Sequence, residues 1–157
     1  MASELNRRFP PLERSGQYLT LLYGVLELRS LRFRYARAGH PGPLRIHRGS
    51  ARFHDEGGGI PIGIAPDAVY RDQELELAPG DLLLLFTDGV HETVNESGEE
   101  FGVARLLEAA GAASRLGAVR GIDSLRGRLD EFRKGEPQRD DVTLLALEVE
   151  AQPGGRS

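Results

Sequence analysis

The feature that most limits the fold is a change of hydrophobic period along the chain. In the first half, Leu31, Phe33 and Tyr35 alternate with Arg32 and Arg34, and Leu75 and Leu77 alternate with Glu74 and Glu76. Later, Val119, Ile122, Leu125, Leu129 and Phe132 step by three or four. Period two sets alternate side chains on one face of a strand, whereas steps of three and four line one side of a helix. A helix, several antiparallel strands, two helices and a final strand make an α+β domain.

The segments follow from that pattern. Leu5, Phe9 and Leu12 predict a short opening helix, which Pro10-Pro11 should stop at about Phe9. Tyr18–Leu28 (YLTLLYGVLEL) is almost continuously apolar and reads as a strand buried on both faces. A tight Arg29-Ser30 connection leads to Leu31–Ala38, completing a hairpin with one wet face. Leu44–His47 and Ala51–His54 form a second hairpin around Arg48-Gly49-Ser50, and Glu56–Ala68 is a loop. Gln73–Leu77 is a strand, Ala78–Asp81 a turn, and Leu82–Phe86 a buried strand. Ser97–Glu100 reads as the acidic start of a helix over Phe101–Ala110. A second amphipathic helix runs from about Leu116 to Phe132, weakened by Gly121 and Gly127. Lys134–Asp140 (KGEPQRD) is a loop before the last strand, VTLLALEVE.

Bulk properties exclude several functions. A chain of 157 residues is most simply one domain, spanning residues 1–150, with a disordered tail over Ala151–Ser157. Its net charge of −4 argues against a nucleic-acid partner. Without cysteine there is no disulfide framework, thiolate metal site or cysteine nucleophile. No apolar run is long enough to cross a bilayer and the N-terminus has no apolar signal core, so the expected location is cytoplasmic, off the membrane.

The chemistry concentrates at two strand ends. Asp88 follows Leu82–Phe86, and Asp140-Asp141 precede the last strand. If those strands lie side by side and antiparallel, Asp88 meets Asp140 or Asp141 at one rim. Converging carboxylates repel unless protonated or bridged by a cation. Hard oxygen ligands favour magnesium, manganese or calcium over zinc. Asp-Gly after a strand is also an ordinary turn, and Asp141 also suits a local backbone bond.

The succession YLTLLYGVLEL, RYARAGHPGPL, GIPIGI, ELAPGDLLLLFTDGVHETVNESGEEFG and PQRDDVTLLAL resembles the SpoIIE/RsbU-type bacterial serine phosphatases, of the metal-dependent PPM class. The resemblance runs from about Leu5 to Val149. It implies an αββα sandwich with antiparallel sheets and flanking helices, and metal-dependent hydrolysis of phosphoserine or phosphothreonine. Residue by residue, Asp88 matches the metal ligand of the family's TDG motif and Asp140 that of its final acidic motif, with Asp141 second choice. Gly89 lets the backbone pass close to the site. His40, in AGHP, falls at a characteristic family position and receives no catalytic duty; His91 reads as a surface residue near the rim. Gly57-Gly58-Gly59 reads as a flexible connection, because no Gly-Lys-Ser/Thr follows.

The resemblance implies only the C-terminal part of a phosphatase domain, since no GDFYD-like or DxxGHG-like motif occurs in the sequence. Such a part is expected to hold one Mn2+ or Mg2+, or none, where the full family domain holds two. Its exposed apolar faces and sheet edge would favour a homodimer or capture of a partner. The implied partner is a phosphoprotein such as an anti-sigma-factor antagonist. The alternative is a catalytically degenerate binding module in a partner-switching pathway.

Overall fold

The computed structural model describes residues 1–9, 14 and 16–150. In chain order the elements are α1 (Ala2–Arg8), β1 (Leu21–Glu27), β2 (Arg32–Ala38), β3 (Leu44–His47), β4 (Ser50–Phe53), β5 (Gln73–Glu76), β6 (Leu82–Phe86), α2 (Gly102–Ala113), α3 (Gly117–Arg133) and β7 (Leu144–Glu148). Two antiparallel sheets form, ordered β1-β2-β5 and β4-β3-β6-β7. The class is α+β, as the periodicity specifies. The chain divides into two compact units, Met1–Gly42 with Asp55–Leu77, and Pro43–His54 with Ala78–Ser157. No helix among the described residues is long and apolar enough to cross a membrane.

In the first unit, α1 ends as Phe9 turns extended at φ −76° and ψ 134°. Pro10, Pro11 and Leu12, and the tail 151–157, lie outside the described residues. The β1–β2 hairpin pairs Glu27 with Arg32 and Leu21 with Ala38. The expectation that β1 is buried on both faces does not hold: Tyr23 is 43 % and Val25 53 % exposed. β1 is an edge strand of its sheet, and its outer face happens to be apolar too, which hides the alternation.

The three glycines at 57–59 are closely approached by other groups. The buried Arg37 guanidinium donates to His40 O (2.8 Å), Asp55 Oδ1 (2.6 Å) and the Asp55 carbonyl. A Cβ on Gly58 would lie 2.6 Å from Arg37 Nη2, and one on Gly59 2.6 Å from the Tyr70 ring. The amide of Gly59 donates to Arg37 O (3.1 Å), and that of Gly39 to Gly59 O (2.7 Å). A larger residue would break this clamp around a buried cation.

The second unit carries the carboxylates of interest. Arg48 and Gly49 both take positive φ (50° and 82°), which suits a two-residue turn matched to sheet twist. Leu44, Ile46, Leu82, Leu84 and Phe86 form a core with Leu106, Ala110, Leu125 and Leu129 of the two helices. Gly121 belongs to that packing, because a Cβ there would approach Ala113 O to 3.2 Å. Val119 differs from expectation: it is 78 % exposed, and the inward stripe of α3 runs through Ala118, Gly121, Leu125 and Leu129 instead.

Ser97–Glu100 also differ from expectation. They form a turn closed by a bridge from Val94 to Glu100, and Asn95 Oδ1 accepts from the amides of Ser97 (3.1 Å) and Glu99 (2.9 Å). An Asn side chain that imitates a turn outcompetes helix initiation here.

Asp81 opens β6 fully buried. Its carboxylate accepts from Arg45 Nε (2.8 Å), His47 Nδ1 (2.6 Å) and the Ala78 amide (2.8 Å). A carboxylate can only accept, so His47 carries its proton on Nδ1.

Candidate metal centre

The far end of β6 is built differently. β6 and β7 pair antiparallel, with Phe86 opposite Leu144, so the exit of one strand lies beside the entry of the other. Thr87 ties the two together: its Oγ1 donates to Asp141 O (2.8 Å) and accepts from Thr143 N (2.9 Å). Gly89 then passes under the 140–141 backbone. A Cβ there would sit 2.6 Å from Asp141 O and 3.4 Å from Asp140 Cβ.

A 3₁₀ turn follows over Asp88–Val90, and it is anchored by Val90, which is fully buried in the core. The amides of His91 and Glu92 both donate to Asp88 O at 3.0 Å. That turn brings Glu92 back over Asp88, because residues four apart share a helical face. Thr93 Oγ1 donates to Gly89 O (2.6 Å) and holds the turn from behind.

One carboxylate oxygen from each of Asp88, Glu92 and Asp140 therefore lies within 4.8 Å of the others. Asp88 is half-buried, and the other two are exposed. Asp88 Oδ1 accepts from Gly89 N (3.1 Å) and Asp140 Oδ1 from Asp141 N (2.7 Å), each from the next residue in the chain. Among the described residues none of the three pairs with a cation. The donor set is all hard oxygen, mutually repulsive and without internal neutralisation, which fits a hard divalent cation.

Two residues differ from the sequence reading. Asp141 is outside the converging group; its backbone accepts from Thr87 Oγ1 and donates to Asp140 Oδ1. Glu92 joins the group, and sequence reasoning missed it. The signal was the four-residue spacing from Asp88, legible only if the chain turns helically straight after the strand. His91 is half-buried, with its ring edge-on to Phe86 at 6.0 Å. His40 turns its Nδ1 toward Pro41 O (3.0 Å) within its own turn.

A cleft of about 250 Å³ opens beside the carboxylates, with Glu92, Asp140, Arg133 and Arg139 in its walls. It adjoins a larger cleft of about 650 Å³ between α3 and β7.

Residues 1–150 match the family of Stage II sporulation protein E. The chain belongs to the SpoIIE family. Among curated relatives, the phosphoserine phosphatase RsbU of Bacillus subtilis is 30 % identical over 91 % of this chain and 42 % of its own length. Protein IcfG of Synechocystis is 26 % identical over 84 % of this chain and 21 % of its own. The chain thus spans under half the length of these relatives. Among solved structures, the SiaA-PP2C domain of Pseudomonas aeruginosa superposes with a TM-score of 0.67 at 28 % identity, covering 76 % of this chain and 47 % of that one. The RsbU and RsbW domains of a Mycobacterium tuberculosis protein give 0.65 at 31 %, covering 84 % and 36 %. The fold is that of SpoIIE/RsbU-type PPM phosphatases, and this chain covers part of such a domain. The SpoIIE family is a phosphatase family.

Proposed function

We propose that this SpoIIE-family chain carries the C-terminal half of a metal-dependent phosphoserine/phosphothreonine phosphatase site, acting on a regulatory phosphoprotein in the bacterial cytoplasm. The observation that carries the reading is the convergence of Asp88, Glu92 and Asp140 within 4.8 Å at the join of β6 and β7. Asp88 and Asp140 would be the principal ligands of Mn2+ or Mg2+, Glu92 a third, and Asp141 a main-chain support. A bound divalent ion supplies Lewis-acid neutralisation of phosphoryl oxygens and a lowered water pKa. The chain's own residues fix where that happens. Thr87 locks the two strand ends together, Gly89 admits the close backbone approach, and the helical turn keeps Glu92 over Asp88.

The test is a calorimetric titration with MnCl2 alongside hydrolysis of para-nitrophenyl phosphate. Saturable manganese binding is expected, weakened about tenfold or more in Asp88→Asn and Glu92→Gln. Manganese-dependent hydrolysis should fall at least about a hundredfold in Asp88→Asn. Equal activity in the variant would remove Asp88 from the chemistry.

A second reading, a degenerate binding module in a partner-switching pathway, is favoured by charge. Three carboxylates supply three negative charges, against four positive ones on a pair of divalent ions. It predicts that an anti-sigma-factor antagonist still binds in EDTA, with no turnover at any manganese concentration.

A further inference from the structure

The cleft beside the carboxylates does not stop there. Thr93, Arg133 and Gln138 line both it and the larger cleft between α3 and β7, so the two form one trench. Beyond Arg133 its walls are Leu129, Val142 and Leu144, with Arg126 further along α3. Arg126 and Arg133 lie seven apart, two helical turns, and so face the same way. Arg139 stands at the near end, next to Asp140.

These arginines are not used up by the fold. Arg126 and Arg139 have no ion-pair partner among the described residues, and Arg133 pairs only with Asp130, whose side chain is 65 % exposed. Glu100 and Asp130 are the acidic wall residues left once Glu92 and Asp140 are set aside for a cation. Three cations against two anions, along a strip with apolar walls, suit an extended peptide that bears acidic and apolar side chains.

We infer that the trench is the subsite for the substrate chain flanking the phosphorylated residue, and that Arg133 and Arg126 select substrates with acidic residues on that flank. The inference rests on the proposed phosphatase reading for what occupies the carboxylate end, and it adds which phosphoproteins fit. The clefts measure about 650 and 250 Å³, and Arg133, which lines both, is 26 % exposed, where an ion pair is less screened than at the open surface.

The test uses two fluorescein-labelled phosphoserine peptides, identical except for a glutamate or a lysine pair on each flank. Binding is read by fluorescence anisotropy with the full chain, with MnCl2 and again in EDTA. The glutamate peptide should bind about fivefold tighter, with the preference shrinking as NaCl rises. Arg133→Glu should reverse the preference, and Arg126→Glu should reduce it without altering the Asp130 pair. Equal binding of both peptides to the unmodified protein would overturn the inference, as would equal weakening of both by Arg133→Glu. The two readings fail separately. Manganese-dependent aryl phosphate hydrolysis with no flank preference would sink the subsite alone, whereas a flank preference without metal-dependent hydrolysis would sink the phosphatase reading and leave the trench a groove that binds acidic segments without turning them over.

Discussion

The two ends of β6 each carry an aspartate, and the molecule treats them in opposite ways. Asp81 at the entry has no exposed surface and accepts from two side chains and a backbone amide. Asp88 just past the exit is half-buried and accepts from the amide of its neighbour, Gly89, while two further carboxylates crowd toward it. Both follow from the same strand with the same apolar pattern. What differs is the company: at one end the fold supplies an arginine and further hydrogen-bond donors, at the other it supplies more anions. A buried acid whose charge is answered internally holds a turn in place. An acid whose neighbours repel it is spare binding capacity, and that difference is what points to the β6 exit as the site.

The sharpest way to break this contrast is to neutralise each acid in turn and measure stability in EDTA. Asp81→Asn should cost about 2–3 kcal/mol, because charge-assisted bonds to Arg45 and His47 are lost while both partners stay half-covered. Asp88→Asn should stay within about 0.5 kcal/mol and, if anything, raise the melting temperature by relieving like-charge repulsion. Denaturant curves of the two variants decide it. A loss in Asp88→Asn equal to that of Asp81→Asn would make both acids structural.

A smaller effect separates the glycines beside the two acids. Gly80 has φ +86° with no atom near its missing Cβ, whereas Gly89 has no space for one. Gly80→Ala should cost about 1 kcal/mol through backbone strain and leave manganese affinity alone. Gly89→Ala should cost about 1–3 kcal/mol by pushing on the 140–141 backbone, and also weaken manganese binding by moving Asp140. A Gly89→Ala protein with unaltered calorimetric affinity would show that the close approach does not set the site.

Much of this was legible in the residues, and the misses share a cause. Asp88 and Asp140 could be brought together on paper because antiparallel neighbours place the exit of one strand at the entry of the next. Glu92 could not, because Asp-Gly after a strand reads as a reverse turn, whereas the core burial of Val90 and the amide bonds back to Asp88 O make the chain coil instead. The role of Gly57–Gly59 depends on Arg37, some twenty residues away in sequence and reachable only through tertiary packing. Asp81 was read as a turn residue; its pairing with Arg45 and His47 needs the β3–β6 register. Local patterns carried the elements, and long-range contacts decided which charges are spent.

The least effect, and the most specific, is the pH dependence of Asp81. Burial pushes its carboxyl up, but the Ala78 amide, then His47 and Arg45, outweigh that and hold it below the ordinary carboxylate range. A folded-state value below the unfolded one means that the stabilisation is fully present above about pH 4 and drains away as pH falls through the folded value. Glu4 and Glu99 are lowered as well, by hydrogen bonds from Arg7 and Arg105 respectively, and they contribute to the same acid limb. The measurement is therefore a difference: the fall in melting temperature from pH 5 to pH 3 should be steeper in the unmodified protein than in Asp81→Asn, where only the two glutamates remain of these three. Parallel falls would mean that Asp81 draws nothing from its charge, and the distinction between the two ends of β6 would then reduce to burial alone.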